Sequence, residues 1–139
     1  IHDLSAVALD RINKLPRFNM PFELGLVLGL KAGGGKQARH RILILERDRY
    51  TYQKCLSDIA GQDLQAHECD VGTMITKVRN WLRTETGRDL PGPAKITGAW
   101  HTFRDALPQV CANAGIAMPD LPFPELLAMQ VQFLKDQNA

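Results

Sequence analysis

Asn19-Met20-Pro21-Phe22-Glu23-Leu24-Gly25-Leu26-Val27-Leu28-Gly29-Leu30-Lys31 is the stretch on which the fold turns. It reads as a helix over residues 20–31, with Asn19 as N-cap and Pro21 in the first turn, where a missing N–H costs nothing. Phe22, Leu24, Leu26, Val27, Leu28 and Leu30 leave almost no polar face, the pattern of a helix covered on both sides. Gly25 and Gly29 share one face. Each costs about 1 kcal/mol relative to Ala in a helix, so close approach of the backbone to a sheet is the expected reason for them. Downstream, Arg41-Ile42-Leu43-Ile44-Leu45-Glu46 is a short unbroken apolar run flanked by charge, as in a central parallel strand. A helix passing into a strand through a short turn sets the class as α/β.

The remaining elements follow from the same periodicities. Leu64-Gln65-Ala66-His67, introduced by the turn Ala60-Gly61-Gln62-Asp63, reads as a short edge strand. Val71, Met74, Ile75, Val78 and Leu82 form one stripe of a helix over residues 71–84, with Asp70 as N-cap and Gly87 near its stop. From Pro93, the positions Ile96, Trp100, Phe103, Leu107, Val110 and Ala114 keep a helical stripe up to Gly115, with Pro108 expected to kink or split it. Pro119, Pro122 and Pro124 stiffen a connection to a last helix over residues 124–136, which is expected to bury Leu127, Val131 and Leu134. Residues 1–87 then form an α/β region, and residues 88–139 a helical extension packed on the same core. The C-terminal helices are also a candidate homo-oligomer interface.

Composition narrows the function classes. With 139 residues, one hydrophobic core is the expectation. Hydrophobic residues at 45% and charged residues at 23% are ordinary globular usage, which argues against disorder. A formal net charge of +2 is too small to point to nucleic acid or an anionic membrane. Cys55, Cys69 and Cys111 are an odd number of thiols in a chain that needs no staples, so a reducing, cytoplasmic compartment is expected. Cys55, His67 and Cys69 lack the paired spacing of a zinc site, and no metal is expected. No apolar run approaches the roughly 18–20 residues that cross a bilayer.

Two segments together resemble a known family. Ile1-His2-Asp3-Leu4-Ser5 reads as the end of a buried strand, and Asn19-Met20-Pro21-Phe22-Glu23-Leu24-Gly25 as a helix start. This pairing is similar to that of the bacterial TIR-like nucleotide-binding proteins and their nucleoside deoxyribosyltransferase-like relatives. Tyr50-Thr51-Tyr52-Gln53 and Leu56-Ser57-Asp58-Ile59-Ala60-Gly61 also resemble a loop found in a subset of them. The likeness spans residues 1–82. It implies a flavodoxin-like parallel sheet flanked by helices, with its first strands lying before Ile1 and a site at the carboxyl ends of the strands. It further implies a nucleotide ligand, NAD or a relative, as substrate rather than as a bound cofactor. By motif position Glu23 is the catalytic carboxylate, and Asp3, Ser5, Asn19 and Phe22 are nucleotide-binding. The same fold also serves non-enzymatic nucleotide sensors and protein-interaction modules.

The residues carry their own chemistry beside that likeness. Breaking an N-glycosidic bond builds positive charge on the ribose, and a nearby carboxylate stabilises that charge or traps the sugar. Glu23 is suited to this if it projects from a first turn, although an acid there also serves simply to complement the helix dipole. Arg47 and Arg49 follow the predicted strand, where they are either a solvated rim or partners for a nucleotide phosphate. Gly33-Gly34-Gly35-Lys36 lacks the spacing and the following Ser or Thr of a phosphate loop, and reads as a turn. Trp81, Trp100 and Phe103 lie on helical stripes and read as core rather than as a base-stacking platform. A Ser-His-Asp arrangement has no local support in the sequence.

Overall fold

The computed structural model describes residues 1–7 and 17–137, which divide into two compact units, Ile1–Leu90 and Pro91–Ala139. The first unit is α/β. Its strands β1 (His2–Asp3), β2 (Ile44–Glu46) and β3 (Leu64–Ala66) form a parallel sheet in the order β1-β2-β3. His2 pairs with Ile44 and Asp3 with Leu45, while Ile44, Leu45 and Glu46 pair with Leu64, Gln65 and Ala66. All three β2 residues are buried, as a central strand covered on both faces requires. The regular strand is shorter than the predicted run over residues 41–46. Arg41 at the start of that run is exposed and pairs with Glu85.

Helix α1 (Asn19–Ala32) joins β1 to β2, with a 3-10 turn at Gly35–Arg39 before the strand. The helix begins one residue earlier than expected. Phe18 stands at the cap position without a side-chain bond, so Asn19 is not the N-cap. Pro21 is then the third helical residue, still among the positions whose N–H has no partner within the helix. Of the apolar residues in α1 only Leu24 is buried, packing with Leu4, Ile44 and Tyr52; Met20 and Leu28 are partly buried against that cluster. Phe22, Leu26 and Leu30 are 67%, 53% and 52% exposed, which corrects the expectation of cover on both sides. The described residues supply a layer to one face of α1 and none to the other.

The glycines need a matching correction. A Cβ added at Gly25 or Gly29 would meet nothing within 4 Å, so no close approach to the sheet explains either residue. Both instead line an open apolar groove of about 650 Å³ beside Phe22, Leu26 and Leu30.

Between β2 and β3 the chain makes 3-10 turns at Thr51–Lys54 and Ser57–Ile59 instead of an α-helix. Tyr52, from the first of them, is 3% exposed and belongs to the core. Helix α2 (Val71–Thr86) then starts where expected, with the Thr73 N–H donating to the Asp70 carboxylate at 2.7 Å. Gly87 ends it in the left-handed conformation, φ 65°, its N–H reaching the Arg83 carbonyl. The Arg79 guanidinium donates to the Leu90 carbonyl at 2.6 Å and ties down the segment that follows.

The second unit contains α3 (Pro93–Asn113) and α4 (Phe123–Asp136). Pro108 neither splits nor ends α3. It is exposed, as is Arg104 one turn earlier, so water can take up the carbonyl that Pro108 leaves unbonded. Phe103 and Cys111 are buried, and Phe103 meets Phe133 of α4 edge to face with ring centres 5.4 Å apart. Leu127, Val131 and Leu134 are 49%, 46% and 47% exposed, which overturns the buried stripe expected for α4. One aromatic contact and a short core leave that stripe largely uncovered. Among the described residues, no helix is long and apolar enough to cross a membrane.

Candidate functional site

In a parallel sheet the strand ends share one edge, and backbone turning away from that edge leaves polar side chains facing it. Here β1 ends in Asp3-Leu4-Ser5 and β3 runs out into His67. Leu4 is 1% exposed and anchors the β1 end, its N–H donating to the Leu45 carbonyl at 2.8 Å. Alternation along the strand then sends Asp3 and Ser5 to the face opposite Leu4. His67 is held in the same way, its N–H donating to the Glu46 carbonyl at 2.9 Å.

These three side chains form a continuous relay. Asp3 Oδ1 accepts the Ser5 N–H at 2.9 Å and the Ser5 hydroxyl at 2.5 Å. Ser5 Oγ lies 2.8 Å from His67 Nε2, while His67 Nε2 and Asp3 Oδ1 are 3.5 Å apart, so the hydroxyl stands between them. The other ring nitrogen decides the direction. The Cys69 N–H donates to His67 Nδ1 at 3.2 Å, which makes Nδ1 an acceptor and leaves the proton on Nε2. His67 therefore donates to Ser5, and Ser5 donates to Asp3.

That direction excludes one chemistry. In a hydrolytic triad the histidine is central and accepts the serine proton. Here serine is central and the histidine nitrogen facing it is a donor, so Ser5 is not activated as a nucleophile. What the relay does is hold the Asp3 carboxylate in one orientation. Oδ1 is saturated, whereas Oδ2 takes part in none of these bonds, and the Asp3 side chain is 39% exposed. A fixed, accessible carboxylate oxygen is an acceptor for hydroxyl or amine donors on a ligand.

The other residues expected at the site are distributed around this relay. Arg47 is exposed and bonded to Asp48 at 2.6 Å, a contact that holds its guanidinium still more firmly protonated. Its carbonyl accepts the Glu68 N–H at 2.7 Å, next to His67 at the same strand ends. Asn19 and Phe22 are exposed on α1. Glu23 is exposed as well, and its carboxylate is in no ion pair among the described residues. It is the fifth helical residue and so lies outside the first turn, where the dipole argument would have applied. Its charge instead acts on His2, whose imidazole is pushed down by burial and pulled back up by Glu23.

The sequence suggested His67 only as a weak strand residue and an unsupported metal ligand. Its place in the relay depends on Glu68 and Cys69, which adopt left-handed φ values of 55° and 57° without being glycine and bring the Cys69 N–H back to the ring. Among the described residues no group of three or more His, Cys, Asp and Glu side chains is placed to hold a metal ion. Comparison with family models, curated proteins and solved structures returns no match for this chain.

Proposed function

We propose that the first unit is a nucleotide-binding domain of the TIR-like, flavodoxin-like kind. The nucleotide lies at the carboxyl end of the parallel sheet, and Asp3, Ser5 and Arg47 contact it. The observation that carries this reading is the Asp3–Ser5–His67 relay, which fixes a half-exposed carboxylate where open α/β sheets receive ligands. A ribose offers hydroxyl donors to Asp3 Oδ2, and a phosphate meets the Arg47 guanidinium.

Cleavage of the N-glycosidic bond of NAD or a related nucleotide adds one requirement, a carboxylate against the developing ribose cation. Glu23 is the residue proposed for it. Its side chain is exposed and in no ion pair among the described residues. A second reading keeps the nucleotide and drops the chemistry. It is favoured by one observation: Glu23 lines neither the apolar groove of α1 nor the polar concavity beside β3.

Incubation with NAD separates the two, with nicotinamide release and NAD binding measured for the wild type, Glu23→Gln and Asp3→Asn. Release that Glu23→Gln abolishes while binding persists establishes the enzyme. Binding without release, weakened by Asp3→Asn, establishes a sensor. Neither binding nor release with NAD, ATP or a free nucleoside rejects both readings.

A further inference from the structure

Glu46 ends β2 with 3% exposure, so its carboxylate has almost no contact with water. Oε1 accepts the Tyr50 N–H at 3.0 Å. Oε2 is buried and has no hydrogen-bond partner among the described residues. Leaving a buried acceptor unbonded costs about 1–3 kcal/mol, and more when it is charged, so such a group calls for a missing partner.

Glu46 also lines a polar concavity of about 360 Å³ beside β3, together with Arg49, Tyr52, Asp63, Gln65 and Lys77. The occupied and unoccupied groups there are distinct. Gln65 uses its amide nitrogen on both Asp63 oxygens at 3.2 Å and its carbonyl on Lys77 Nζ at 3.2 Å. Gln65 is thus committed at both ends and Asp63 accepts from that one amide nitrogen, while two Lys77 protons are uncommitted among the described residues. Arg49 is exposed and makes no hydrogen bond or ion pair among the described residues. Two cations with open donors and one acceptor with no donor specify a ligand that is anionic at one end and donates at the other.

We propose that this concavity binds a small hydroxylated anion of the sugar phosphate class. The phosphoryl group takes Arg49 and Lys77, and a hydroxyl donates to Glu46 Oε2. The terminal torsion of a glutamate is soft, so a modest turn presents Oε2 to the concavity that Glu46 already lines. The volume accommodates a pentose phosphate. The site is separate from the Asp3 relay, because the concavity lies along β3 and none of Asp3, Ser5 and His67 lines it.

The test is a two-dimensional amide NMR titration of the full chain with ribose 5-phosphate, ribose and inorganic phosphate. Tyr50, which donates to Glu46, and Gln65 serve as reporters. Ribose 5-phosphate is expected to shift both amides saturably and to bind at least tenfold more tightly than either fragment. Glu46→Gln should weaken ribose 5-phosphate about tenfold and leave inorganic phosphate unchanged, whereas Arg49→Gln should weaken both. Arg49 is exposed, so its variant keeps the fold and decides the matter even where Glu46→Gln unfolds. The proposal is overturned if no probe gives a saturable shift, or if ribose or phosphate alone binds as tightly as the phosphosugar. It is also overturned if Arg49→Gln, or a folded Glu46→Gln, leaves ribose 5-phosphate affinity unchanged.

Discussion

Replacing Ser5 with alanine tests the relay and its direction together. The hydroxyl accepts from His67 Nε2 at 2.8 Å and donates to Asp3 Oδ1 at 2.5 Å, so the substitution removes two bonds at once. His67 is 3% exposed, and its Nε2–H is left 3.5 Å from Asp3 Oδ1, too far for a good bond without movement. An unsatisfied donor of this kind costs about 1–3 kcal/mol, a large fraction of a domain's roughly 5–15 kcal/mol. Removing both partners should cost less than the sum, because the Nε2 donor that Ser5→Ala orphans is gone once His67→Phe is added, while the Cys69 N–H loses its Nδ1 acceptor equally in the single and the double His67 variant and so cancels from the coupling. Urea denaturation of the two single variants and the double variant gives the coupling, expected at about 1 kcal/mol or more. Long-range nitrogen-15 NMR on the imidazole reads the tautomer directly. A His67 ring protonated on Nδ1, or a Ser5→Ala loss below about 0.5 kcal/mol with additive double-variant energetics, refutes the relay as described.

Two further outcomes follow from other parts of the first unit. Burial holds His2 below its ordinary range, so the unfolded chain binds the proton more readily than the folded one. His2 therefore withdraws stability as the pH falls below about 6.5, the ordinary value, and contributes no such loss above it. Denaturation midpoints of the wild type and His2→Gln between pH 7.5 and 5 should diverge from below pH 6.5, and parallel curves count against the assignment. Gly25→Ala and Gly29→Ala place a methyl group where nothing lies within 4 Å, so each should raise helix stability by about 0.5–1 kcal/mol. A loss of stability at either position, measured by thermal unfolding, would mean that the groove is occupied in solution.

The parts of the fold that the sequence disclosed are those with a period. The run ending in Ile44-Leu45-Glu46 is buried on both faces, and the unbroken apolar pattern states that directly. Helix α2 carries a hydrophobic stripe between an Asp cap and a left-handed Gly, each a local signal, and both ends lie close to where those signals put them. Tyr52 was hidden for the opposite reason. It reaches the core from a 3-10 turn, where no repeat marks the inward direction. The exposed faces of α1 and α4 show the limit of periodicity. A stripe records which residues prefer to be covered, whereas Phe22, Leu26, Leu127 and Val131 remain exposed because no described residue lies over them.

The site divides too. Asp3 and Ser5 were legible only through the likeness of the strand end to a known family, and the structure joins them by a hydrogen bond. His67 was not, because its role is set by which ring nitrogen the Cys69 N–H occupies, and that contact depends on non-glycine residues in left-handed conformations that no propensity announces. The difference has chemical weight. Asp3 and Ser5 without His67 could be the beginning of an acid–nucleophile pair. With His67 donating, the proton order runs from imidazole to hydroxyl to carboxylate, and each group is committed to the next. A relay with its donors committed in this way is built to hold an acceptor still, which serves recognition. On the nucleotide reading, bond cleavage must then come from a separate carboxylate, and the relay alone accounts for binding.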